Sequence, residues 1–198
     1  KSQLEGEYEF AYERFRLLGD YEDSSDQMKQ SIYLAANEAK TAGKYDMAKE
    51  LFETFPDYKD SADLAKECVY LPAVALMTEE KHDEAVKLFA QIPGYKDADE
   101  LYIQCIYRPA KAAADAGEYD EAIALFEKIP DYGDVEKLLR QTQYKRAGAL
   151  EKAGDFEAAI DAYEALGDYS DAADRAKAAT YAMAQEAFEA GQFANASS

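Results

Sequence analysis

Residues 43–60 read Gly-Lys-Tyr-Asp-Met-Ala-Lys-Glu-Leu-Phe-Glu-Thr-Phe-Pro-Asp-Tyr-Lys-Asp, and the same pattern returns at 80–97, 117–134 and 154–171, with an earlier copy at 6–23. The interval is 37 residues each time (80−43, 117−80, 154−117). A fixed period of this length marks an array of supersecondary units, each unable to bury its apolar face alone. Tyr45, His82, Tyr119, Phe156 and Phe193 fill one column, with Tyr8 a step earlier; three residues on stand Ala11, Ala48, Ala85, Ala122, Ala159 and Ala196. An aromatic follows at Phe15, Phe52, Phe89, Phe126 and Tyr163, then a large apolar residue at Leu18, Phe55, Ile92, Ile129 and Leu166. Tyrosine recurs at 21, 58, 95, 132 and 169, aspartate at 23, 60, 97, 134 and 171, and a closing tyrosine at 33, 70, 107, 144 and 181.

Each repeat reads as two helices, giving repeats 6–42, 43–79, 80–116, 117–153 and 154–190 and a partial repeat 191–198, all in one domain. Tyr45, Ala48, Leu51, Phe52 and Phe55 are spaced by three and four, which puts them on one face of a short helix of about three turns. Gly6, Gly43, Gly117, Gly154 and Gly191 precede it and suit a turn out of the previous helix. Pro56, Pro93 and Pro130, or Gly19 and Gly167, close it. The recurrent aspartate then opens a long helix of roughly 18 residues, about 27 Å. Asp60 is expected to cap that helix through its carboxylate, with Asp63 favourable beside the positive helix end. Pro72 and Pro109 fall inside the long helix, each removing the bond to the carbonyl of Cys68 or Cys105, so a kink or a break is expected there.

Gly43, Tyr45, Ala48 and Phe52, with Ala36 and Ala39 on the preceding helix, and their counterparts in later repeats, resemble the tetratricopeptide repeat over essentially the whole chain. The resemblance implies an all-α fold, a right-handed α-solenoid of five helix-turn-helix repeats whose long helices line a concave groove for peptides or proteins. The sequence departs from that pattern in places. Ile32, Val69, Ile106, Gln143 and Thr180 fill the family's tryptophan column, and the period is longer than the usual one. The lysine and asparagine set with which some members grip carboxylate termini is matched only at Asn37.

Composition narrows the function. The chain has 198 residues, 48% of them apolar, which argues against disorder. With 41 acidic and 22 basic residues the formal charge is −19, a surface that repels nucleic-acid phosphates. No apolar run approaches the roughly 20 residues that a membrane helix needs, and no signal pattern is evident, although a chain starting at Lys1 is also what an excised fragment would look like. His82 is the sole histidine and sits in a column of aromatic rings, no phosphate-binding glycine loop is present, and no catalytic role is expected. The Asp-Tyr-x-Asp motif has too few oxygen ligands for a calcium loop, so neither a metal nor a cofactor is expected. Cys68 and Cys105 share a column on successive long helices, where packing at 8–10 Å keeps them beyond the reach of about 7 Å that a disulfide allows. Buried reduced thiols result, which fits a cytoplasmic chain without establishing one.

The chain therefore reads as a protein-binding scaffold. The closing tyrosines, among them Tyr70, Tyr107 and Tyr144, lie at the edge of the apolar stripe, where a ring packs between repeats and the hydroxyl reaches outward. Selectivity belongs instead to columns that vary. Arg108, Lys111, Lys145, Arg146 and Lys152 gather on two successive long helices of an otherwise acidic chain, with Arg108 and Lys145 in one column. They form a candidate anion-accepting patch for an acidic peptide or carboxylate terminus. The alternative is a spacer or a segment of a longer array. Neither end carries an evident polar capping repeat, so end-to-end self-association is a further expectation.

Overall fold

A computed structural model describes the backbone of residues 3–196 and the side chains of 6–191. Among the described residues there are ten α-helices and no strand. They are α1 (Gln3–Leu18), α2 (Ser24–Thr41), α3 (Tyr45–Thr54), α4 (Ser61–Thr78), α5 (His82–Phe89), α6 (Ala98–Ala116), α7 (Tyr119–Phe126), α8 (Val135–Ala153), α9 (Phe156–Leu166) and α10 (Ala172–Ala196). From α2 onward, long and short helices alternate as the period predicts, and helices adjacent in the chain pack on one another.

The chain divides into two compact parts, one up to Cys105 and one from Ile106 onward, with the division inside α6. In the first part, Ala36, Ala39, Ala48 and Phe52 form a core with Ala65 and Cys68. Val69, Ala73, Ala85, Phe89, Ile92 and Cys105 form a second. In the other part, Ala147, Ala159, Tyr163, Leu166, Ala172 and Ala176 pack in the same manner. Ala36, Ala73, Ala110 and Ala147 on the long helices, and Ala48, Ala85, Ala122 and Ala159 on the short ones, are fully buried. A methyl group at these positions lets two helix backbones approach closely enough for the ring three or four residues on to close the core. Cys68 and Cys105 are buried and unbridged, as small apolar side chains would be.

Three expectations change. Asp23, Asp60 and Asp134 precede their helices but make no side-chain capping bond. Their backbones sit near φ −101°, ψ 21° (the values at Asp60) instead of the extended region that aims a capping oxygen at the first turn. Asp155 does cap its helix, accepting from the Ala158 amide at 3.4 Å. Second, Pro72 and Pro109 do not split their helices: α4 and α6 run through them. One lost bond is outweighed where Cys68, Val69 and Ala73, or Cys105, Ile106 and Ala110, bury the helix on both sides of the ring. Third, Gly6 and Gly191 do not turn the chain, since α1 and α10 pass through them. Glycine permits a left-handed turn without imposing one. The side chains of the column members Phe193 and Ala196, like those at 1–5, lie outside the described ones.

Left-handed backbone recurs at two fixed places. Gly43, Gly117 and Gly154 have φ of 75°, 86° and 82°, and Glu80, in their column, is held at 61°. A second left-handed residue stands immediately before each recurrent aspartate, at Glu22, Lys59, Lys96, Gly133 and Ser170, with φ between 49° and 55°. Replacing Glu80 by glycine removes the Cβ from a strained conformation. Chemical denaturation of Glu80→Gly should show a gain of about 1 kcal/mol, with an unchanged m-value.

Candidate functional site

The surface on which a partner could sit is positioned by a junction that the sequence did not reveal. In each of four places a closing tyrosine reaches forward into the following repeat. Tyr33 donates its hydroxyl to Asp60 Oδ1 at 2.7 Å, Tyr70 to Asp97 at 2.6 Å, Tyr107 to Asp134 at 2.9 Å, and Tyr144 to Asp171. The same rings pack edge-on against Phe52, Phe89, Phe126 and Tyr163, with centroids 5.7–6.5 Å apart. They also pack against Tyr58, Tyr95, Tyr132 and Tyr169, at 5.4–5.9 Å. The aspartates thus serve the tyrosines instead of capping helices. Tyr70, Tyr107 and Tyr144, predicted as groove residues, have their hydroxyls engaged in this way; Tyr70 belongs to the first compact part and the other two to the second.

Within the second part, each junction fixes the rotation of its long helix and hence the residue that follows. Arg108 on α6 and Lys145 on α8 come directly after the locked Tyr107 and Tyr144, and both are exposed. Lys152 is exposed in the last turn of α8. Lys111 is exposed too, with its ammonium 5.5 Å from the centre of the Tyr107 ring, a cation–π distance. Arg146 leaves the group: it turns toward α7 and pairs with Asp120.

That pair stands between two clefts. One, of about 240 Å³, is lined by Asp120 and Ile123 of α7, Gln143 and Arg146 of α8, and Ala162, Ala165 and Leu166 around α9. The other, of about 390 Å³, runs from Gly117–Glu121 to Arg146, Ala149, Leu150 and Ala153. The first part holds a cleft of about 210 Å³ at equivalent positions, lined by Glu9, Tyr12, Ile32, Ala35 and Leu51, three periods earlier (120−9 = 111). The charged pair distinguishes the later cleft. Its signal in the sequence was the change from Ile32, Val69 and Ile106 to Gln143 in one column, three residues before Arg146.

Two carboxylates carry further joints. Glu67 accepts from both Lys40 and Lys96, which hold it below the usual carboxylate range against the opposing effect of burial. Glu151 accepts from Arg175 at 2.6 Å and from the Tyr163 hydroxyl at 2.9 Å, and Arg175 chiefly depresses it in the same way. Burial, and then the bond to Glu151, push Tyr163 up to about 12. The junction tyrosines 33, 70, 107 and 144 are also raised, first by their hydrogen bonds to aspartate and then by burial. His82 stands at the start of α5 with Nδ1 buried and without a hydrogen-bond partner. Among the described residues no group of three or more histidine, cysteine or acidic side chains is placed to hold a metal ion, and no helix is long and apolar enough to cross a membrane.

Compared with protein-family models, with curated proteins and with solved structures, the chain matches none.

Two outcomes follow from the junction. Tyr107→Phe keeps the ring and loses the bond to Asp134, and should lower stability by about 1.5 kcal/mol. Asp134→Ala should cost a similar amount, and denaturation of the double variant should show less than the sum of the two. The second outcome concerns alkali. A tyrosine whose pKa is raised by folding contributes stability that is complete below its unfolded value of about 10 and disappears as pH rises through the folded value. With five such tyrosines, unfolding followed by circular dichroism should set in above about pH 10 and be complete near the value of about 12 reached by Tyr163. Tyrosinate absorbance should rise together with the loss of helix.

Proposed function

We propose that this chain is a non-catalytic protein-interaction module, its five hairpin repeats stacked as an α-solenoid in the manner of tetratricopeptide repeats, with the long helices offering a groove to a peptide or protein. One observation carries this reading. Along α2, α4, α6 and α8 the recurrent tyrosine is committed to the following repeat, whereas the residue after it is exposed and changes: Leu34, Leu71, Arg108, Lys145. A scaffold that holds some columns constant and varies the exposed neighbours is built to present surface, not to perform chemistry.

The partner favoured by Arg108, Lys111, Lys145 and Lys152 is acidic, because these cations stand on a chain whose formal charge is −19 and would attract carboxylates that the rest of the surface repels. The rings of Tyr107 and Tyr144 flank these cations as rigid half-buried walls. A pull-down from a lysate with the wild type and with Arg108→Glu, Lys145→Glu tests the assignment. The expected result is a protein retained by the wild type and lost by the variant, with both melting alike. Retention by both proteins would move the site elsewhere, and retention by neither would favour a spacer role within a longer array.

A further inference from the structure

The cleft of about 240 Å³ between α7, α8 and α9 gathers three departures from the repeat at one place. Gln143 replaces the Ile32, Val69 and Ile106 of the three preceding repeats. Arg146 stands where the equivalent cleft of the first part has Ala35. Ala162 replaces Leu51, Leu88 and Leu125, so the wall formed by α9 is one isobutyl group lower. All three side chains line the cleft, and Ile123, Ala165 and Leu166 complete it with apolar surface.

The fold does not use up the polar members. Among the described residues the Gln143 amide has no hydrogen-bond partner, although Gln143 is half-buried. Arg146 meets Asp120 through Nε and Oδ1, which leaves its two Nη groups and the second carboxylate oxygen for another molecule. The Asp120 side chain is 82% exposed, and an ion pair so open to water contributes little to stability. Both residues also line the neighbouring cleft of about 390 Å³, so the pair is reached from either side.

Charges of both signs beside a small apolar cleft are the complement of a zwitterion with an apolar side chain. We propose that this cleft binds a free apolar α-amino acid of about leucine's size. Its carboxylate meets Arg146 and the Gln143 amide, and its ammonium meets Asp120. Its side chain lies against Ala162, where the preceding repeats carry their own leucine. The four charges then alternate in sign, so Arg146 and Asp120 stay paired while each gains a second partner. A peptide terminus presents only one of the two charges and leaves half of the pair unused. None of Arg108, Lys111, Lys145 and Lys152 lines this cleft, so the site is separate from the surface assigned to an acidic partner.

An amide-resolved NMR titration of the wild type with L-leucine tests the proposal. It is run beside L-leucinamide, which lacks the carboxylate, N-acetyl-L-leucine, which lacks the ammonium, and glycine, which lacks the side chain. Leucine should give saturable shifts on α7, α8 and α9 in the millimolar range, and each analogue should bind about tenfold or more weakly. Arg146→Gln and Asp120→Asn should weaken leucine by a similar factor. Ala162→Leu, which restores the residue of the preceding repeats, should abolish binding with the fold kept, as circular dichroism melts verify. The absence of a saturable shift with leucine overturns the proposal. So does equal affinity for leucinamide or N-acetyl-leucine, or binding that survives Ala162→Leu. The analogue comparison needs the wild type alone, so a variant that fails to fold leaves the test intact.

Discussion

A phenol hydroxyl donating to a carboxylate one repeat further on is the interaction on which the rest of this molecule depends. It is charge-assisted and therefore stronger than a bond between neutral groups. The ring that carries it packs against two further aromatics, which restricts the directions in which its hydroxyl can point. Everything downstream inherits that geometry. The orientation of a long helix fixes where the residue after its tyrosine points, and with it which cations face outward on α6 and α8.

The alanine columns let helices approach closely, and the variation in the larger columns is compensated locally. Where the buried phenylalanine of other repeats becomes Tyr163, the new hydroxyl finds Glu151, and Arg175 neutralises that carboxylate. Where Lys59 and Lys96 are forced into left-handed backbone, their ammonium groups lie within about 5 Å of the ring centres of Tyr33 and Tyr58, or of Tyr70 and Tyr95. The strain of the backbone and the attraction of a cation for aromatic faces thus offset one another. His82 has no such compensation, having replaced a tyrosine or phenylalanine and left a buried nitrogen unpaired.

The number, order and alternation of helices were legible because apolar spacing and period reinforce one another, as with Tyr45, Ala48 and Phe52. Asp60 was misread, because a carboxylate before a helix has two competing uses and only the backbone angle decides between them. The partner it takes, Tyr33, is 27 residues earlier, and comparing columns at the period of 37 hides that offset. Of the kink or break expected at the prolines, the break does not occur, for a related reason: local propensity gives the loss at Pro72, whereas the burial of Cys68 and Val69 that outweighs it is tertiary. For the proposed cation patch, the sequence allowed residues to be named but not the directions in which they point. Lys145 and Arg146 are adjacent and alike in sequence, yet one is exposed while the other turns to Asp120.

The reach of the junction has a consequence for how the chain acquires its structure. Its bonds span 27 residues, and the side-chain hydrogen bonds from Lys59 to Gln30 and from Lys96 to Glu67 span 29. Such bonds connect neighbours in the chain, so the entropy of closing large loops is never incurred. Contact order is low, and folding can begin at whichever junction closes first and then spread in either direction. During synthesis a long helix is held by its tyrosine once the aspartate 27 residues behind it has left the ribosome. The polypeptide is thus secured progressively from its amino-terminal side, without waiting for the remainder to be made.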